Sequence, residues 1–284
     1  MQRLSYFCRM LRRLFDIIQQ VFVKTEAESI AYRTSISNKR ADRKIIWVAV
    51  ISTVSLVFIE YIGKYPGYAN LIAFFKSIGF ESASEFLSEY MERKGNVQLH
   101  CLAYWISIIV IFYLVIPILI IKLVFREKLS DYGLRFGNLK KDYGIYLIML
   151  LVMLPLVFAM STTHSFQLRY PFYELKPDES LFPNFWIWES MYFIQFIGVE
   201  FFFRGFILHG SRRQLGFYSI FFMVIPYCMI HFGKPMSETF SAILAGIALG
   251  VLSLKSRSII PGILIHYSVA IAMDFAALYH KGYF

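Results

Sequence analysis

The chain has 284 residues, of which 57% are hydrophobic, 18% aromatic and only 17% charged, and its mean hydropathy is +0.55. Soluble domains carry about 25% charged residues, so an ordinary soluble globular protein is excluded. The net charge of +10 is concentrated in particular loops of a hydrophobic chain, which fits membrane topology and not nucleic-acid binding.

Residues 1–44 open with Leu4, Phe7, Leu11, Leu14, Phe15, Ile18, Val21 and Phe22 at three- and four-residue spacing, while Arg9, Arg12 and Arg13 lie largely off that stripe. The spacing predicts an amphipathic helix on an anionic membrane surface. Arg12, Arg13 and Asp16 interrupt any apolar core of a signal peptide, so cleavage is not expected. Cys8 stands beside the stripe, where an unmodified packing residue is expected and lipid attachment is the alternative. Cys8, Cys101 and Cys228 form no CxxC pair, and neither a disulfide framework nor a zinc ribbon is indicated.

Continuous apolar runs follow, such as residues 102–121, twenty positions without a charged residue or histidine. That length spans a hydrocarbon core of about 30 Å, and the absence of strict alternation disfavours a barrel. Spans are predicted at 45–62, 102–121, 143–160, 186–210, 217–230, 239–254 and 259–279. The expected fold is all-α: a multi-spanning transmembrane bundle of about seven helices behind an amphipathic surface helix. The loop 64–100 keeps helical spacing at Phe74, Phe75, Phe80, Phe86 and Leu87 and predicts a further surface helix. Ten Lys and Arg lie within residues 1–44, and the loop after the second span adds Lys122, Arg126, Lys128, Arg135, Lys140 and Lys141. By the positive-inside rule the N-terminus is expected in the cytoplasm and the C-terminus outside.

Ionisable residues concentrate toward the C-terminal half: Glu189, Glu200, Arg204, His231, Glu238, His266 and Asp274. Such groups inside a membrane are candidates for a functional site. Counting helical rise from the turns places Glu200 and His231 at one level, ~20 Å from the turn that joins their helices, with Arg204, His266, Glu238 and Asp274 flanking it along one cavity. Glu200 and Arg204 share a helix face, which suits an ion pair as well as chemistry. Glu238 suits an N-terminal helix position, and Asp274 a pair with Lys234 or Lys281. Two histidines and a carboxylate suit either water activation or metal binding. Ala242, Gly246 and Gly250 form a small-residue stripe that predicts close helix packing.

The segments Gly198-Val199-Glu200-Phe201-Phe202-Phe203-Arg204-Gly205, Tyr227-Cys228-Met229-Ile230-His231 and Pro261-Gly262-Ile263-Leu264-Ile265-His266 resemble the motifs of the CAAX-protease and bacteriocin-processing family of intramembrane endopeptidases. Asp131-Tyr132-Gly133-Leu134 also resembles that family. Val199 stands where the family has the first glutamate of EExxxR, and Ala270 where it has the Asn or Asp of its third motif. The resemblance is thus to a variant with a single glutamate in the first motif. It implies a division into a basic amphipathic segment 1–44, two accessory transmembrane helices with an extracytoplasmic loop at 45–125, and a CAAX-protease-like transmembrane core at 126–284. It implies hydrolysis of a peptide bond in a membrane-anchored peptide or protein. Glu200 is then the general base, His231 orients the water, His266 stabilises the oxyanion and Arg204 holds Glu200; Glu238 or Asp274 is a further polar group. No cofactor is implied, although Glu200, His231 and His266 are a donor set that zinc would accept. The lipid bilayer and the substrate are the expected partners, with no nucleic acid, and the expected location is a bacterial cell membrane. Two alternatives use the same residues: a catalytically inactive member acting as a membrane scaffold or immunity protein, and a metal- or proton-coupled transporter.

Overall fold

The computed structural model describes residues 2–35, 43–64, 66–92, 96–136, 139–176 and 179–284; of 2–8, 10, 11 and 139–143 it describes the backbone alone. Cys8 and the first residues of the N-terminal apolar stripe lie outside the described side chains. Every regular element among the described residues is helical, as expected for a chain whose backbone must satisfy its hydrogen bonds within hydrocarbon. The principal helices are α1 (Gln2–Ser35), α2 (Arg43–Phe58), α3 (Tyr68–Ser77), α4 (Glu81–Glu92), α5 (Val97–Val110), α6 (Leu139–Met160), α7 (Asn184–Glu200), α8 (Gly210–Leu215), α9 (Ser219–Met229), α10 (Met236–Ser256) and α11 (Ile260–His280).

All seven apolar segments are helical, but among the described residues the helices long and apolar enough to cross a membrane number five: Arg43–Gly63, Val97–Phe125, Asn184–Met229, Met236–Ser256 and Ile260–His280. The fourth and fifth expected spans share the single run Asn184–Met229, and the third contributes the shorter apolar helix Gly144–Met160. The surface helix expected in the loop 64–100 is two helices, α3 and α4. Beyond α5 the helix continues through π turns Ile111–Val115 and Ile120–Phe125 on either side of Pro117, whose missing N–H breaks the regular ladder.

The chain divides into two compact units, each discontinuous in sequence. The first contains Met1–Ala49, Glu127–Asn138 and Phe203–Ile260. Here α9 packs on α10. A Cβ at Gly246 would lie 3.0 Å from Tyr227 Cδ1, and one at Gly250 3.3 Å from Ile220 Cγ2, so the small-residue stripe permits this close approach. The C-terminal half of α1 docks against α8 and the following turn. Glu26 Oε1 accepts the Phe217 N–H at 2.8 Å, and Arg257 donates to both carboxylate oxygens of Glu28 at 2.6 and 2.7 Å. The segment 127–136 is anchored by buried Tyr132, which donates to Glu127 Oε2 at 2.5 Å, while Lys44 Nζ reaches the same oxygen at 2.6 Å. Burial disfavours the Glu127 charge, but the Lys44 and Tyr132 bonds and the Arg213 charge outweigh it and hold the carboxyl below its usual range.

The second unit contains Val50–Arg126, Leu139–Phe202 and Pro261–Phe284. Its centre is aromatic: Phe185, Trp188, Tyr192 and Phe196 of α7 pack with Ile106, Tyr173, Leu175, Ala270 and Leu278. Gly198 lets α7 approach the helix that follows α5, where a Cβ would meet Tyr113 Cβ at 3.6 Å and Ile109 Cγ2 at 3.7 Å. Close packing of this kind drives helix association in lipid, where burial of apolar surface contributes little. A polar hub closes one end. Asn96 caps α5 by accepting the Leu99 N–H at 3.1 Å and donates to Tyr173, whose hydroxyl donates to Glu179 Oε1 at 2.7 Å. Burial and the Glu179 carboxylate push the Tyr173 hydroxyl up to about 12.

Candidate active-site residues

Glu200 is the last residue of α7 and His266 lies in the second turn of α11, both in the second unit. The fold brings them into direct contact: His266 Nδ1 and Glu200 Oε1 are 2.8 Å apart. The Glu200 side chain is 0% exposed and that of His266 18% exposed, so the imidazole is the more accessible member. A carboxylate at Nδ1 makes that nitrogen the proton-bearing one and leaves Nε2 with its lone pair. Phe196 packs on the imidazole at 4.4 Å between ring centroids.

Room for the carboxylate comes from Gly262, one turn before His266. A Cβ there would lie 2.7 Å from Glu200 Oε2. Gly262 was not singled out for this role by the sequence; its only sign is a glycine four positions before the histidine. Val199 is buried, and Ala270 belongs to the aromatic core.

Arg204 and His231 belong to the first unit. Arg204 lies in the π-helical stretch Phe201–His209, a wide turn of the sort found at functional positions. It is fully buried, with its guanidinium 4.0 Å from the centroid of the Tyr227 ring, a cation–π geometry. Phe203 meets the same ring edge-on at 5.2 Å. His231 is buried one turn after Tyr227, with Nδ1 2.8 Å from the Tyr227 main-chain oxygen. That carbonyl can only accept, so Nδ1 carries the proton and Nε2 the lone pair. Tyr227 therefore serves both neighbours, one through its ring and one through its backbone.

The remaining expected groups are placed elsewhere. Glu238, in the first turn of α10, pairs with Lys234 at 2.7 Å. Asp274 accepts a hydrogen bond from Trp188 Nε1 at 2.9 Å, in the core of the second unit and not at a lysine near the outer surface. Among the described residues no three of His, Cys, Asp and Glu converge closely enough to hold a metal ion.

No curated protein and no solved structure matches the chain. Residues 181–272 match the family model described as type II CAAX prenyl endopeptidase Rce1-like. The matched stretch, about a third of the chain, carries Glu200, Arg204, His231 and His266 and stops before Asp274. That stretch, with the apolar helices that carry it, is similar to the CAAX prenyl endopeptidases that the family model describes.

Proposed function

We propose that the protein is an intramembrane endopeptidase that cleaves a membrane-associated peptide, with Glu200 and His266 as its water-activating pair. The observation that carries this reading is the 2.8 Å contact between a sealed carboxylate and a partly accessible imidazole. Glu200 fixes the imidazole tautomer and stabilises the cation that forms on it. His266 Nε2 accepts a proton as water oxygen bonds to the peptide carbonyl carbon, and returns it to the departing amine when the C–N bond breaks. This refines the division of labour expected from the motifs, where Glu200 acts on water directly; the more accessible member of the pair is His266. The order of the motifs assigns His231 and Arg204 to the same reaction, His231 through an Nε2 that can accept a hydrogen bond. No metal is part of this mechanism.

The test is cleavage of a membrane-anchored peptide reporter by the purified protein in lipid. Glu200→Gln and His266→Ala are each expected to lower the rate by roughly 10²- to 10⁴-fold, the usual contribution of acid–base catalysis. His231→Ala is also expected to lower it, and cleavage by the unmodified protein is expected to persist in EDTA. Full cleavage by a well-folded Glu200→Gln protein would remove the pair from the reaction.

A further inference from the structure

Helices α3 and α4 form a hairpin that the proposed reaction does not use, and its depth is fixed by where it meets α5. The apolar helix Arg43–Gly63 ends against the interior of α5 and not at its start. The Tyr104 hydroxyl donates to the Ile62 main-chain oxygen at 3.0 Å, and a Cβ at Gly63 would lie 3.1 Å from Ile108 Cγ2. Tyr104 and Ile108 follow Val97 by seven and eleven residues, roughly 10 to 16 Å along the helix. The hairpin begins at that level. Tyr68, the first residue of α3, meets the Tyr104 ring edge-on at 6.3 Å, and Asn70 Nδ2 donates to the Tyr61 main-chain oxygen at 3.1 Å. The other root lies close by, where the Tyr90 ring of α4 is 5.0 Å from the His100 ring. The two roots bracket Leu102, where the uncharged run 102–121 begins. A run of that length matches a hydrocarbon core of about 30 Å, so the hairpin is rooted at the hydrocarbon edge.

The two helices pack on each other, and the turn between them is apolar. Gly79 takes φ +79°, and the Phe80 N–H donates to the Phe75 main-chain oxygen at 2.9 Å, the left-handed ending that stops a helix sharply. Around this turn Phe74, Ile78 and Phe80 are 54%, 49% and 61% exposed. The length of α3 carries the turn as far as ~15 Å from its root. Along α4, Glu81, Glu85, Glu89 and Glu92 are all exposed, and their three- and four-residue spacing aligns them on one side. Phe86, 71% exposed, borders that row. The hairpin thus separates an aromatic tip from an acidic flank. Exposed rings at this level suit the membrane interface, where aromatic residues are enriched. Helices with one apolar and one charged side lie in its plane. Four carboxylates stand against one lysine, Lys76, in α3 and α4, so charge does not draw them to anionic headgroups.

We propose that the α3–α4 hairpin is a lipid-contact element that lies in the membrane interface, with Phe74, Ile78 and Phe80 among the acyl chains and the glutamate row in water. This contact is apolar and needs no anionic lipid, unlike that of the basic N-terminal helix. It is independent of the peptidase reading.

The experiment uses the full chain with its native cysteines replaced, spin-labelled at Ile78→Cys, Phe80→Cys, Glu85→Cys or Glu89→Cys one at a time, in phosphatidylcholine vesicles. Labels at 78 and 80 are expected to collide with oxygen and to be shielded from a water-soluble nickel chelate, and labels at 85 and 89 to show the reverse. Added phosphatidylserine is expected to change neither result. In the otherwise unmodified chain, the fluorescence added by Phe80→Trp is expected to be quenched by brominated phosphatidylcholine, and that added by Glu85→Trp to be retained. Chelate access at 78 and 80 equal to that at 85 and 89, or unquenched Phe80→Trp fluorescence, overturns the proposal. Labels at 78 and 80 shielded from both oxygen and chelate also overturn it, since protein then covers the tip, and spin–spin broadening would identify the cover as a second copy of the chain. Shielding that appears only with phosphatidylserine overturns it in favour of headgroup attraction.

Discussion

Gly262 illustrates how a residue without a side chain shapes the candidate chemistry. Its replacement by Ala puts a methyl group 2.7 Å from Glu200 Oε2. The neighbour is the end of a flexible side chain, so the carboxylate moves and the backbone stays. Helix propensity favours Ala over Gly by about 1 kcal/mol, and the melting temperature of Gly262→Ala is expected to match or exceed that of the unmodified protein. Displacement of a catalytic group by about 1 Å is enough to cost on the order of 10²-fold in rate. Cleavage should therefore fall about that far while the fold is retained. A Gly262→Ala protein with full activity would show that the Glu200 position is not critical.

The N-terminal helix shows an element with two halves of different character. From the sequence alone its apolar stripe reads as a membrane-surface face, and residues 1–40 as dispensable for the core, so that deleting residues 1–35 would leave a folded bundle. The structure divides the stripe. Leu14 and Phe15 are exposed alongside Arg12 and Arg13, whereas Val21, Thr25 and Ser29 are buried. The exposed half keeps the composition of a surface anchor, with roughly 1 kcal/mol per basic residue near anionic lipid. The other half is part of the first unit. Glu26 fills the space over Gly216, where φ is +58° and a Cβ would lie 2.1 Å from its carboxylate oxygen. Deleting residues 1–35 removes the acceptor of the Phe217 N–H and the Glu28 partner of Arg257, and is expected to lower the detergent melting temperature markedly. Glu26→Ala leaves that N–H without its acceptor, at about 1 to 3 kcal/mol, and Gly216→Ala adds backbone strain to a clash. A truncated protein that melts with the full chain would show that the docked half contributes nothing.

For the whole molecule the orientation in the membrane is the open physical question, and we propose the one set by charge. Positive loops stay on the cytoplasmic side, which puts residues 1–44 and the 122–141 connection inside and the 161–183 connection outside. In a protein lacking its native cysteines, a cysteine at exposed Ser180 should react with an impermeant thiol reagent added to intact cells. One at exposed Lys128 should react only after permeabilisation. The reverse pattern would overturn the orientation and the helix-depth arithmetic built on it.

The helical class, the positions of the apolar segments and the motif residues were legible in the chain because they depend on local quantities. A hydrocarbon core demands apolar runs near twenty residues, and small residues at four-residue spacing create a flat helix face wherever they occur. The number of spanning helices was less legible: the sequence divides 186–210 from 217–230 at the turn near Gly216, whereas the structure carries Asn184–Met229 as one long run. Helical rise placed Asp274 at a depth close to that of Glu200 and could not say which way either side chain faces, because each residue turns the helix by about 100°. Packing supplied that direction. It brought Glu200 to His266 across 66 residues, Trp188 to Asp274 across 86 and Glu26 to Phe217 across 191. Contacts so distant along the chain follow from which helix faces interlock, a property of many side chains together that no single motif encodes.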